Sequence, residues 1–218
     1  MSEGKIPRWG TAERLEHFTI MVLIPTFIVS GLPLFIREWF GWMLVPPLTV
    51  DLFRDVHKVA AGLYTVVAIF HVFYHTIGLR RGTRVFMARR DFKDTITTIK
   101  YYFGFTKEMP KIGFHYPSEK LFSYWLMAVW FMIFMGISGI ILLYSWYFPL
   151  WIRQWALIIH DVFFILITLI LIFHFYMSVI YTRHRALLDG MFRDGMISAE
   201  YAKTYHPLWY EEIKKKKE

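Results

Sequence analysis

The stretch Leu157-Ile158-Ile159-His160-Asp161-Val162-Phe163-Phe164-Ile165-Leu166-Ile167-Thr168-Leu169-Ile170-Leu171-Ile172-Phe173-His174-Phe175-Tyr176-Met177 decides how the chain folds. From Val162 to Thr182 it carries no formal charge, which is the length and composition of a bilayer-spanning helix. Two histidines sit in it fourteen residues apart. On a helix that spacing is about four turns, ~21 Å along the axis, with both rings on nearly the same face. One helix therefore offers one imidazole near each side of a membrane.

Three more uncharged runs flank this one: Phe18 to Ile36, Val59 to Leu79 and Leu121 to Ile152. With 56% hydrophobic and 20% aromatic content in 218 residues, four spans use up most of the chain. The expected fold is an all-α membrane protein, a four-transmembrane-helix bundle forming one domain over residues 1–218. Its helices run over about 17–36, 54–79, 120–146 and 153–182, followed by a polar tail over 183–218. Pro25 and Pro33 are expected to kink the first helix. Residues 91–105 have the mixed polar and aromatic pattern of a surface helix. What lies outside the spans is too little for a soluble catalytic domain of ordinary size, so substrate chemistry is expected in a partner.

The net charge of +8 follows topology, not nucleic acid. Three Lys or Arg residues precede the first span, ten lie between the second and third, and eight follow the fourth. Basic loops face the cytoplasm, which predicts both termini and the middle segment on that side of a bacterial cytoplasmic membrane. The N-terminus lacks a short apolar core with a small-residue cleavage site, so the first apolar run is expected to remain as a helix. The absence of cysteine excludes disulfides, cysteinyl iron–sulfur ligation and thioether-linked haem in this chain.

Among the nine histidines, candidates in or at the mouths of spans are His17, His57, His71, His160 and His174. Imidazoles at that depth need partners, and they mark function by default. The topology puts His57 level with His160 at the outer side, and His17 or His71 level with His174 at the inner side. Two pairs at two depths suit two b-type haems, each with bis-histidine axial ligation inside a bundle. Spacing alone favours His71 over His17, because His57 and His71 are also fourteen residues apart. Helix-to-helix hydrogen bonding is the plainer role for any one of these histidines. A structural zinc site is the weaker reading, since it needs about four ligands converging at one point. Gly31, Gly62, Gly136 and Gly139 fall within spans, where a missing Cβ admits a flat macrocycle or a second backbone. Asp161 is expected as an interfacial carboxylate near a helix N-terminus, or as a charge that tunes the outer haem with help from Arg153 or Lys58.

Several short motifs carry a resemblance over nearly the whole chain. They are Arg14-Leu15-Glu16-His17, Ser30-Gly31, Val56-His57-Lys58, Ser138-Gly139, His174-Phe175-Tyr176-Met177 and the tail Tyr201-Ala202-Lys203-Thr204-Tyr205-His206-Pro207-Leu208-Trp209-Tyr210. Together they resemble the gamma subunit, a dihaem cytochrome b, of membrane-bound formate dehydrogenases. The resemblance implies His57 and His160 on the outer haem and His17 with His174 on the inner one, His71 being the alternative. It also implies an iron–sulfur subunit and a molybdenum or tungsten catalytic subunit as partners, and quinone as acceptor on the cytoplasmic side. Where family members carry an Asn-Ala-Gly-Gln run, this chain has Tyr116-Pro117-Ser118-Glu119, so the quinone candidates are His115, Tyr116, Ser118 and Glu119. The cytochrome b subunits of nickel-iron hydrogenases share the plan and give the nearer alternative. A cofactor-free anchor or small transporter is the more distant one, with no convincing inverted repeat to support it.

Overall fold

The structure is a computed structural model that describes residues 4–78, 87–116 and 120–216. The chain forms two compact units, one from Gly10 to Gly82 and one combining Met1–Trp9 with Thr83–Glu218.

In the first of these units, helix α1 (Thr11–Phe35) begins more than a turn before the sequence expectation. The cause is local: the Glu13 carboxylate turns back to accept the Gly10 N–H, satisfying one of the donors that a helix start leaves open. Pro25 and Pro33 both lie inside this one helix. Helix α2 (Val50–Phe73) also starts early, because the Thr49 hydroxyl accepts the Leu52 N–H at 3.2 Å. It continues as a π-helical turn over Tyr74–Gly78. α1 and α2 pack together, while Val22, Val59, Leu63, Val66 and Ile69 remain exposed, the pattern of surfaces meant for lipid. Trp39 and Trp42 stand exposed between the two helices, where membrane-interface anchors belong.

In the second unit, α3 (Arg89–Tyr102) is the amphipathic helix expected between the spans. The Asp91 carboxylate caps it by accepting the Ala88 N–H at 2.8 Å, and also takes Lys120 Nζ at 3.0 Å in a largely shielded ion pair. A π-helical run over Lys120–Phe131 leads directly into α4 (Met132–Leu143). Helix α5 (Leu150–Phe175) follows, extended by a π-helical turn at Tyr176–Ile180. Among the described residues three helical stretches are long and apolar enough to cross a membrane: Thr11–Phe35, Val50–Phe73 and Leu150–Ile180. α4 lies within a shorter apolar helix, Val129–Leu143.

The expectation of an all-helical chain meets one exception. Strand β1 (Lys5–Pro7) pairs antiparallel with β2 (Met196–Ser198), Ile6 lying opposite Ile197. Ile6 and Ile197 pack with Tyr201, Ala202 and Trp209 into a small core. The short helices α6 (Arg185–Phe192), α7 (Ala199–Tyr205) and α8 (Pro207–Lys215) complete the tail, with Ser198 capping α7 and Pro207 opening α8. Arg8 and Trp9 both donate backbone N–H groups to the Gly195 carbonyl, and Gly195 holds the positive φ of 75° that the turn requires.

Gly190 is the tightest point of this tail. A Cβ there would stand 2.7 Å from the Met196 carbonyl oxygen and 2.9 Å from the Trp9 ring. The carbonyl belongs to the strand and has nowhere to go, so Gly190→Ala is expected to cost about 1–3 kcal/mol as an overpacking change. Limited proteolysis should show faster cleavage within residues 185–216 in the variant. Cleavage at the wild-type rate would mean that the strand yields freely.

Candidate functional site

His57 projects from α2 near its start, and its Nδ1 lies 2.8 Å from the Ser30 hydroxyl of α1. His160 projects from α5, and its Nδ1 lies 3.0 Å from the Ser138 hydroxyl of α4. Each serine is 2% exposed. Each also donates along its own helix: Ser30 to the Thr26 carbonyl at 2.6 Å, and Ser138 to the Phe134 carbonyl at 2.6 Å. A hydroxyl has one hydrogen, and the helix carbonyl takes it. The serine oxygen can then only accept, so Nδ1 must be the donor. Both imidazoles are thereby set in the neutral tautomer that carries its lone pair on Nε2, the form a metal ligand needs.

The same device appears once in each unit, and it involves the two Ser-Gly pairs singled out in the sequence. Around His57 the Phe27 ring sits edge-on at 5.1 Å. Beside His160 a Cβ at Gly139 would come 3.7 Å from the imidazole Cε1, an ordinary contact, so this glycine is not dictated by His160 alone. At Gly62 and Gly136 a Cβ would meet no atom within 4 Å. The donor set fits an imidazole-ligated group such as haem.

The inner candidates are arranged differently. His17 is half-buried near the start of α1, and His174 is exposed near the end of α5, two residues before the π-helical turn. His71 does not stand alone: its Nδ1 lies 2.8 Å from Glu16 Oε2, and His75 Nε2 lies 3.2 Å from the same oxygen. Neither Glu16 nor His75 was singled out in the sequence; the four-residue spacing to His71 could have pointed to His75, whereas Glu16 lies 55 residues from His71 on another helix. Half-buried Asp161 follows His160 on α5, and Lys58, one of its expected helpers, is bonded instead to Asp55 at 2.9 Å.

Of the quinone candidates, Ser118 and Glu119 lie outside the described residues. Tyr116 is buried, its ring 4.9 Å from that of His206 and 5.6 Å from that of His184. His115 is half-buried against the Phe114 ring. His206 is fully enclosed and donates Nδ1–H to the Gly113 carbonyl at 2.8 Å, which ties the tail to the segment before α4. His184 donates Nδ1–H to the Met177 carbonyl at 3.0 Å, leaving Nε2 to accept from the Tyr102 hydroxyl at 3.3 Å. Neither His184 nor Tyr102 was singled out in the sequence. The only hint was a histidine set between Arg183 and Arg185 just past a span.

A family model described as prokaryotic cytochrome b561 matches residues 8–194. The cytochrome b556(Fdn) subunit of the nitrate-inducible formate dehydrogenase of Escherichia coli K12 is 24% identical over 223 residues, covering 99% of this chain and 95% of the relative. The same subunit from Shigella flexneri matches equally. The cytochrome b556(fdo) subunit of E. coli K12 formate dehydrogenase is 22% identical, covering 96% of this chain and 94% of the relative.

Burial, with the charge of Tyr181 adding and Arg183 opposing, pushes the Tyr102 phenol up to about 12. Its folded value lies above the ordinary value of about 10, so between these limits the folded chain holds a proton that the unfolded chain has released. The stability it contributes is fully present below about pH 10 and is lost as pH rises toward about 12. The near-ultraviolet phenolate absorbance of wild type and Tyr102→Phe should therefore coincide up to about pH 11 and part only above it. A wild-type excess already present at about pH 10 would mean that water reaches this hydroxyl.

Proposed function

The chain belongs to the prokaryotic cytochrome b561 family, and from that premise we propose that it is the dihaem membrane subunit of a formate dehydrogenase, carrying electrons from an outward-facing iron–sulfur subunit to quinone on the cytoplasmic side. The observation that carries this reading is the pair of serine-set imidazoles at His57 and His160. Haem b, when bound, supplies a reversible one-electron couple at each ligand pair. His57 and His160 hold the outer group, with Ser30 and Ser138 fixing their rings. His17 and His174 hold the inner one. The choice of His17 over His71 rests on the resemblance carried by Arg14-Leu15-Glu16-His17.

The reading includes one domain of four spanning helices in a bacterial cytoplasmic membrane, with both termini cytoplasmic. Its support is a parity argument. β1 precedes the first span and β2 follows the last, and they are hydrogen-bonded to each other. Two segments paired on one side of a membrane need an even number of crossings between them. Three helical stretches qualify by length and composition, and the helical path from Lys120 through Leu143 supplies the fourth. The basic segments then fall on the cytoplasmic side.

On that side Tyr116 and His115 are the described quinone candidates, each able to hydrogen-bond a carbonyl, with Ser118 and Glu119 beside them in sequence. Formate oxidation belongs to a molybdenum or tungsten subunit, and the mass of the co-purifying catalytic subunit separates this reading from a hydrogenase cytochrome b.

Purified wild-type protein should contain two dithionite-reducible haems b per chain. His17→Ala should keep one, the outer, and His71→Ala should keep both. The reverse outcome assigns the inner iron to His71, and protein with no haem at all sinks the proposal. Ser138→Ala removes the acceptor that sets the His160 ring while leaving the ligand in place. It is expected to weaken haem retention by roughly 10- to 100-fold, the usual effect of losing a group that orients a ligand. Retention equal to wild type would show that the tautomer is set elsewhere.

A further inference from the structure

Glu16 is 7% exposed, a carboxylate enclosed within a unit made of two apolar helices. One of its oxygens, Oε2, engages both His71 and His75. The other, Oε1, is buried with no hydrogen-bond partner among the described residues. A network serving structure alone would satisfy both oxygens, since an unpaired charged acceptor away from water is costly. Two imidazoles stand against this carboxylate with ring centroids 4.3 Å apart. They are four residues apart where α2 passes into its π-helical turn, the spacing that puts two histidines on one helix face for a shared metal.

We propose that Glu16, His71 and His75 form a binding site for a divalent first-row transition metal, with Zn²⁺ as its occupant. The ligand atoms His71 Nδ1, His75 Nε2 and a Glu16 oxygen all lie within 4.8 Å of one another. Zinc holds nitrogen and oxygen ligands at about 2.0–2.2 Å, so neighbouring ligands in a tetrahedral shell are about 3.3 Å apart. The two nitrogens already stand 2.8 and 3.2 Å from Oε2, within a few tenths of an ångström of that spacing. Two imidazoles and a carboxylate form the three-ligand set of zinc sites that keep one position for water, and they lack the thiolates that would favour softer ions. The ion neutralises Glu16 and ties the start of α1 to the end of α2. This proposal does not depend on quinone or formate, and it assigns His71 a role separate from haem.

The test uses the chain purified from membranes with its accompanying subunits, stripped with a chelator and then dialysed against ZnCl₂ at low-micromolar free zinc. Metal analysis should find about one more zinc per chain in wild type than in His75→Ala or Glu16→Gln. The affinity loss should exceed the roughly 10- to 100-fold that removal of an outer-shell partner costs. Haem content, measured on the same samples, should be unchanged in His75→Ala and reports whether the variant folded. Should that variant fail to fold, zinc X-ray absorption of wild type decides, and two imidazole nitrogens with a carboxylate oxygen at about 2.0–2.2 Å are expected. Equal zinc in wild type and folded variants, or a zinc shell without imidazole, overturns the proposal. A His71→Ala protein that loses haem overturns it as well, because His71 would then belong to iron.

Discussion

A serine hydroxyl has one hydrogen to give, and at Ser30 and Ser138 the helix takes it. Within an apolar helix there is little water to satisfy a spare donor, so the hydroxyl turns to the carbonyl four residues back. What remains on the oxygen is acceptor capacity, and it meets an imidazole Nδ1–H. The chemistry of His57 and His160 follows from that one allocation. Histidine in solution populates both tautomers, whereas here the serine contact places the lone pair on Nε2.

This explains why span composition alone could locate the histidines but could not say what fixes their rings. Uncharged runs marked the helices, and fourteen-residue spacing put His160 and His174 on one face of α5. The Ser-Gly pairs were visible as motifs, yet the serine's role as acceptor depends on which helix turn faces which. Ser30 and His57 are 27 residues apart, and Ser138 and His160 are 22 apart. No local pattern encodes such a register. The same limit hid Glu16, whose partners His71 and His75 are 55 and 59 residues away. In sequence it stood only within the motif Arg14-Leu15-Glu16-His17.

The parts outside the spans were the least legible, for a different reason. Amphipathic α3 announced itself over fourteen residues, long enough for helical periodicity to show. β1 and β2 have three residues each, too few for alternation to rise above chance, and they come from opposite ends of the chain. Their pairing is driven by what flanks them. Ile6 completes a core whose other members all lie in the tail, and the Lys5–Asp194 ion pair sits exposed at the edge.

Arg8 shows how this tail accommodates charge. It is 5% exposed, a depth at which a cation is costly unless its environment replaces water. Three aromatic faces do so: the guanidinium carbon lies 5.2 Å from the Trp9 ring, 4.5 Å from Phe114 and 5.0 Å from Trp209. One amino group donates to the Phe114 carbonyl at 2.7 Å. A planar, delocalised cation can stack on rings and hydrogen-bond in its own plane at once, which a lysine ammonium cannot. The three rings come from the N-terminus, the segment before α4 and the C-terminal helix, so a single side chain gathers three distant pieces of sequence. His206 repeats the connection with a neutral group, its Nδ1–H on the Gly113 carbonyl beside Phe114. Held at both points, the residues leading up to Tyr116 are positioned by the tail through a contact made more than ninety residues later.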